Sequence, residues 1–342
     1  VSTGIQWTDE TWNPARGCSR VSPGCDHCYA IREARRMDHP GGPYEGLTTT
    51  KARGLDWSGV VRLVPEKLDE PLRWRKPRRI FVNSMSDLFH ESLSDEAIAA
   101  VFGVMAACPQ HTFQVLTKRP KRMWSWFESW RTASSPPAGA FPAAECMAWA
   151  EQHLCRYRRL SAAPPRYEAR PWPLPNVWLG VSAEDQQRLD ERARWLLETP
   201  AAVRFLSLEP LLGPVNLRRA RSGWPGTENV LDVLSGYYSH APLGEGIGSA
   251  VGWVIVGGES GHGARPCSVE WIRSIRDQCR KERVPCFVKQ LGSRCVSTTG
   301  RLGPRREPLL WALDVNGRKG GDWSEWPADL RAREFPCALG TR

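Results

Sequence analysis

No apolar run in this 342-residue chain reaches the roughly 18 to 20 residues that crossing a bilayer requires. The opening Val1-Ser-Thr-Gly-Ile-Gln-Trp7 also lacks the basic-then-apolar order of a signal peptide, so we expect a cytoplasmic protein without a membrane partner. The cysteines lack the arrangement of a disulfide framework. They number 11, an odd count, and Cys108, Cys146, Cys155, Cys267, Cys279, Cys286, Cys295 and Cys337 are mostly scattered singly. No internal repeat is present. Acidic residues are in deficit, 37 Asp and Glu against 47 Lys and Arg, which leaves a formal charge of +10. Arginine dominates the basic set, and its planar fork suits phosphate. Two readings stay open, a polyanionic partner such as nucleic acid, or a basic surface with no dedicated ligand.

At 41% hydrophobic and 25% charged the chain can bury a sizeable core, as one large domain or two. Six short β-branched runs read as buried strands, at 79–84, 112–117, 176–182, 203–208, 252–257 and 285–290. Helical patterns lie between several of them. Residues 94–108 open with Ser-Asp-Glu and stop before Pro109, residues 184–198 carry Leu189, Ala193, Leu196 and Leu197 on one stripe, and residues 268–282 open with Ser-Val-Glu. This alternation predicts an α/β fold of about six parallel strands with crossover helices, either a full or partial (β/α) barrel or a doubly wound sheet.

Polar residues follow each predicted strand: Asn83, Ser84, Ser86 and Asp87; Thr117, Lys118 and Arg119; Ser182, Glu184 and Asp185; Ser207 and Glu209; Gly257, Gly258, Glu259 and Ser260; Lys289 and Gln290. Carboxyl ends of parallel strands are where α/β proteins place their sites. Each residue is alternatively a helix cap or turn residue, which suits Ser182 and Ser260. It suits Glu209, Glu259 and Lys289 less, because charges there need partners or a ligand.

Two stretches break the rhythm. Residues 133–175, rich in Pro, Ala and Arg, and 218–249, rich in Gly and Ser, exceed ordinary loop length and read as irregular insertions or mobile segments. Residues 1–292 then form the main domain and 293–342 a C-terminal extension. The run Trp124-Ser-Trp126-Phe127-Glu-Ser-Trp130, close to Lys118, Arg119, Lys121 and Arg122, is either a stacking groove for unpaired bases or a set of core aromatics on a helix.

The cysteines that do cluster are Cys18, Cys25 and Cys28, in Gly17-Cys18-Ser-Arg-Val-Ser-Pro-Gly24-Cys25-Asp-His-Cys28-Tyr29, with no fourth cysteine nearby. Iron–sulfur clusters normally take four thiolates, so three would leave one iron open to another ligand. A tetrahedral zinc site of the three cysteines with His27 or His39 is the rival metal reading.

Taken with TWNP at 11–14, the segments SPGCDHCYA (22–30), VNSMSDLFHE (82–91), LTKRP (116–120), VWLGVSAE (177–184), FLSLEPLLGP (205–214), IVGGESGHGARP (255–266) and FVKQLG (287–292) resemble the phage and prophage three-cysteine-motif family. That family is placed beside the radical S-adenosylmethionine enzymes and close to the spore photoproduct lyases. The resemblance spans roughly residues 4–292. It implies a partial (β/α) barrel, a [4Fe–4S] cluster on Cys18, Cys25 and Cys28, and bound S-adenosylmethionine cleaved reductively with electrons from a flavodoxin- or ferredoxin-type donor. Here six residues separate the first two cysteines, where the radical enzymes usually have three, and His27 stands where an aromatic is common.

By position, the resemblance implies cofactor contacts from Asn83, Ser84, Ser86, Asp87, Lys118, Ser182 and Glu184. It places Glu209, Glu259, Lys289 and Gln290 toward substrate, as candidate catalytic residues. The basic charge and the lyase relatives imply a nucleic-acid or nucleotide substrate. The alternative is a non-catalytic nucleic-acid-binding or scaffolding protein whose iron–sulfur or zinc site is structural. Cys267 and Cys286 come up as hydrogen donors by analogy with the lyases, but both lie outside the shared motifs and read as packing residues.

Overall fold

The structure, a computed structural model, describes residues 3–52, 54–132, 146, 171–221, 230–240, 244–302, 308–312 and 319–336. Cys155, Cys337 and most of the 133–175 insertion lie outside the described residues. Seven strands form one parallel sheet, β1 (Glu10–Trp12), β2 (Arg79–Val82), β3 (Thr112–Thr117), β4 (Val177–Ser182), β5 (Val203–Leu208), β6 (Trp253–Gly257) and β7 (Cys286–Gln290). Each strand neighbours the next in chain order, so the winding never reverses as it does in a doubly wound sheet. The six predicted strands are all present. The seventh, β1, is three residues of which only Trp12 is buried, too short and polar to announce itself.

The chain divides into two compact units, one of Val1–Val21, Cys28–Gly180 and Thr199–Val203, the other of Ser22–His27, Val181–Glu198 and Arg204–Arg342. In the first, α1 (Tyr29–Arg36) follows the cysteine loop, α2 (Asp95–Ala107) follows β2, and α3 (Pro120–Thr132) follows β3. Ten residues of α2, from Ala97 to Ala106, are buried, as expected of a helix apolar all round. Ser94 caps it by accepting the Ala97 N–H, with Asp95 and Glu96 favourably placed in the positive first turn. Within the Trp124–Trp130 run, Trp126 and Phe127 belong to the core, while Trp124 and Trp130 are half-buried. Trp126 is 1% exposed and stacks on Phe102 at 4.7 Å, with Phe127 edge-on to both.

The second unit holds α4 (Gln186–Glu198) and α5 (Val269–Lys281), and α5 packs on β6, buried along its whole length, and on β7, buried nearly so, which is why these runs are apolar without alternation. Val269, Ile272, Ile275 and Cys279 are the buried stripe of α5. The described part of the 218–249 insertion is a four-stranded antiparallel sheet built from Ala220–Arg221, Val230–Leu231, Tyr237–His240 and Gly244–Ile247. Beyond β7, Cys295–Leu302 pairs antiparallel with Pro308–Ala312, and the chain then returns along β7: Val288 N–H donates to Ala332 O and Glu334 N–H to Cys286 O. Among the described residues, no helix is long and apolar enough to cross a membrane.

Candidate metal and cofactor site

The segment between the first two cysteines is a tight turn with no apolar anchor of its own. Pro23–Cys25 forms a single 3₁₀ turn, with proline at its first position and Cys25 N–H donating to Ser22 O at 2.8 Å. What holds it is charge. The Glu184 side chain, fully buried just beyond β4, accepts the Gly24 N–H at 3.0 Å through Oε1 and takes Arg192 Nη1 of α4 at 3.2 Å through Oε2. A side chain on Gly24 would place its Cβ 3.0 Å from the Glu184 carboxyl carbon, so glycine is what permits this approach.

A second carboxylate holds the other end of the same loop. Glu259, beyond β6, accepts His27 Nδ1 at 2.9 Å on Oε2, and Arg265 grips both its oxygens, with Nη2 at 2.6 Å and Nε at 3.0 Å. Burial works to raise the Glu259 carboxyl, but the hydrogen bonds from Arg265 and His27 outweigh it and hold it below the ordinary carboxylate value. An ionised acceptor fixes the His27 tautomer with its proton on Nδ1. Arg265 also donates to Pro23 O at 2.9 Å and lies 3.6 Å from Asp26. The glycine before Glu259 is steric: a Cβ on Gly258 would lie 2.2 Å from Leu291 O.

The first cysteine belongs to the other unit and has its own cation. Arg119, 5% exposed at the end of β3, donates Nη1 to Asp87 at 3.1 Å, Nε to Glu91 at 2.8 Å and Nη2 to both Ser19 O and Ser19 Oγ, while Nη1 stands 3.8 Å from Cys18 Sγ. Burial opposes the Arg119 charge, yet Asp87 and the neighbouring Cys18 sulfur more than compensate, and its pKa is raised. A cation beside a thiol favours the thiolate, the form that ligates metal. His90 completes this wall. Its Nδ1 accepts the Ser92 N–H, which leaves Nε2 to donate to Ser19 Oγ at 2.9 Å, and burial followed by Arg119 lowers its pKa. Cys18 and Cys28 both pack against one apolar cluster that includes Ile31, Ala34, Leu47 and Trp57.

The remaining candidates of that unit sit after β2. Asn83 is buried with φ +59°, a conformation asparagine tolerates better than most residues; its Oδ1 accepts Ala15 N–H, and its Nδ2 has no hydrogen-bond partner among the described residues. An unpaired buried amide is an invitation to a ligand acceptor. Ser84 Oγ donates to Asn13 Oδ1, Ser86 Oγ donates to Ala15 O, and Asp87 accepts Thr117 Oγ at 2.7 Å and Lys118 N–H at 3.1 Å. Among the described residues the Lys118 ammonium forms no ion pair.

In the second unit, Ser182 Oγ donates to Glu209 O at 3.4 Å, beside the Glu209 side chain that Lys289 Nζ holds at 2.7 and 2.9 Å and Gln290 Nε2 at 3.2 Å. Half-buried Glu209 and Lys289 thus form one cluster with the buried Gln290.

Cys18, Cys25 and Cys28 are half-buried and free of disulfide bonds, and sulfur donors of this kind suit an iron–sulfur cluster. Among the described residues, no group of three or more His, Cys, Asp or Glu side chains is assembled as a metal site. The other described cysteines are buried: burial pushes Cys108 and Cys295 up to about 12 and Cys267 higher still, and a bond with Cys286 followed by burial does the same to Cys279. Such thiols are inert.

Sequence reasoning missed Arg192, Arg265 and the positioning role of Glu184 and Glu259. Arg265 lies in the segment that carries Glu259, but nothing local says that it reaches back to Pro23.

An α/β protein whose parallel strands end in charged clusters is the class these observations define. The chain belongs to DUF5131, a family of proteins of unknown function, whose model matches residues 2–317. No curated protein and no solved structure matches it.

Proposed function

We propose that this protein is a radical S-adenosylmethionine enzyme, a partial (β/α) barrel that binds a [4Fe–4S] cluster through Cys18, Cys25 and Cys28 and acts on nucleic acid or a nucleotide. The observation that carries the reading is the construction around the cysteine loop. Two buried carboxylates and three arginines hold Ser19 and residues 23–27, polar positions that contribute almost nothing to the core. Burying charge rarely stabilises a fold by itself, so a purpose in positioning is the better account. Outer partners that orient metal-ligating segments are a general feature of such sites.

When bound, the cluster supplies the electron that cleaves S-adenosylmethionine, itself drawn from a flavodoxin- or ferredoxin-type donor. The chain's own contribution is placement. Lys118 offers an ammonium for the methionine carboxylate, and Asn83 Nδ2 a donor for the same end of the cofactor. Ser84, Ser86 and Asp87 hold the turn that carries them. Glu184 and Glu259 act through the loop, and Glu209, Lys289 and Gln290 stand toward substrate, where a paired acid and base can hold or move a proton.

The test is reductive cleavage of S-adenosylmethionine by anaerobically purified, dithionite-reduced protein. 5′-Deoxyadenosine is expected from the native chain and not from C25A or C28A. Its absence from fully reduced native protein overturns the reading.

A further inference from the structure

The first unit also carries a basic run beside a cavity, whose lining shares Met37, Tyr44 and Met85 with the apolar cluster that Cys18 and Cys28 pack against. Residues 73–79 read Arg-Trp-Arg-Lys-Pro-Arg-Arg, five cations in seven residues. Three are spoken for: Arg73 pairs with Asp69, Arg78 with Glu10 at 2.8 Å and Arg79 with Asp9 at 2.8 Å. Arg75 and Lys76 are exposed, and among the described residues no carboxylate pairs with either. Trp74 is half-buried, edge-on to His111 and covered on one side by the Arg78 guanidinium at 5.2 Å.

Trp74 also lines a cavity of about 550 Å³, shared with Arg16, Met37, Tyr44, Lys67 and Met85. Two aromatic rings and two thioethers give it apolar walls, and Arg16 lies over the Tyr44 ring at 5.4 Å. Three acids share the lining, each with a cation partner: Glu10 with Arg78, Glu70 with Lys67 and Glu33 with Arg36. The volume is in the range of small-ligand sites and suits one flat heterocycle with its sugar. An aromatic-walled hollow beside unpaired cations is the combination that binds single-stranded nucleic acid, one part taking a base and the other the phosphates.

We propose that Arg75 and Lys76 bind the phosphates of a single-stranded nucleic acid and that the Trp74–Tyr44 cavity takes one of its bases. The inference rests on the nucleic-acid part of the function proposed above and is independent of the cluster. Charge complementarity selects this partner, since the chain as a whole carries +10.

The test measures fluorescence anisotropy of a labelled single-stranded oligodeoxynucleotide on the full chain across salt concentrations. Two phosphate contacts fewer should make the slope of log affinity against log salt shallower by about 1.4 in R75Q/K76Q. The control R280Q/K281Q, at the exposed end of α5, should keep the native slope. An abasic oligonucleotide of equal length should bind about tenfold more weakly than the normal strand, because base stacking is lost. A native slope in R75Q/K76Q, an equal loss in the control, or equal affinity for the abasic strand or for duplex overturns the proposal. Cleavage of S-adenosylmethionine without substrate should be unchanged in R75Q/K76Q, so failure of this surface and failure of the radical reading are separately visible.

Discussion

The Gly24 amide donates to the Glu184 carboxylate at 3.0 Å across 160 positions of sequence. One end of the cysteine loop is thereby fixed to the end of β4, and Arg192 keeps the carboxylate from swinging away. Glu259 and Arg265 repeat the arrangement at His27.

Gly24→Ala tests that contact directly. The new methyl group meets a buried, pinned carboxylate, so the loop must shift and overpacking should cost about 1–3 kcal/mol. Thermal unfolding should show the loss. Glu184→Gln leaves the buried Arg192 without its counter-charge and should cost more, about 3–5 kcal/mol. A G24A protein as stable as the native one would mean that the loop is not held as described.

Arg119 has two carboxylate partners of different worth. Asp87 is 7% exposed and Glu91 is 63% exposed. Breaking the buried pair with Asp87→Asn should cost about 3–5 kcal/mol, whereas Glu91→Gln removes a screened surface pair and should cost under about 1 kcal/mol. Denaturant titration of the two variants distinguishes them, and equal losses would contradict the assignment of Asp87 as the main partner.

His90 predicts a pH dependence of stability. Its folded pKa is lowered by burial and by Arg119, from an unfolded value near 6.5. The unfolded chain therefore takes up a proton that the native one refuses. Stability from this residue is complete above about 6.5 and is lost as pH falls through the lower folded value. The H90Q variant keeps a side-chain donor for Ser19 and has no group there to titrate. Between pH 7.5 and 5.5 the native protein should lose more stability than H90Q, and parallel curves would show that His90 does not titrate as described.

Much of the fold was legible because its signals are local. Six buried strands, the Ser94 and Ser268 helix starts and the turn at Pro23-Gly24 all announce themselves within a few residues. β1 did not, since a three-residue strand with one buried side chain carries no pattern. The 218–249 insertion reads as irregular from its glycines and serines, yet its described residues form a sheet, because ladder hydrogen bonds depend on the backbone rather than on side-chain composition. The candidate site was legible as a list of polar residues after each strand. Whether a carboxylate there meets a ligand or a backbone amide is decided by partners far off in sequence, Gly24 for Glu184 and His27 for Glu259. The arrangement of Trp126 with Phe102 and Phe127 is hidden for the same reason.

The proposed iron–sulfur cluster on Cys18, Cys25 and Cys28 is tested most directly by iron and acid-labile sulfide analysis of the anaerobically purified chain, with its visible absorption spectrum. Iron and sulfide are expected in equal amounts, about four of each per chain, with broad visible absorption that is lost in the triple variant C18A/C25A/C28A. Zinc in place of iron, with no sulfide, would contradict the cluster.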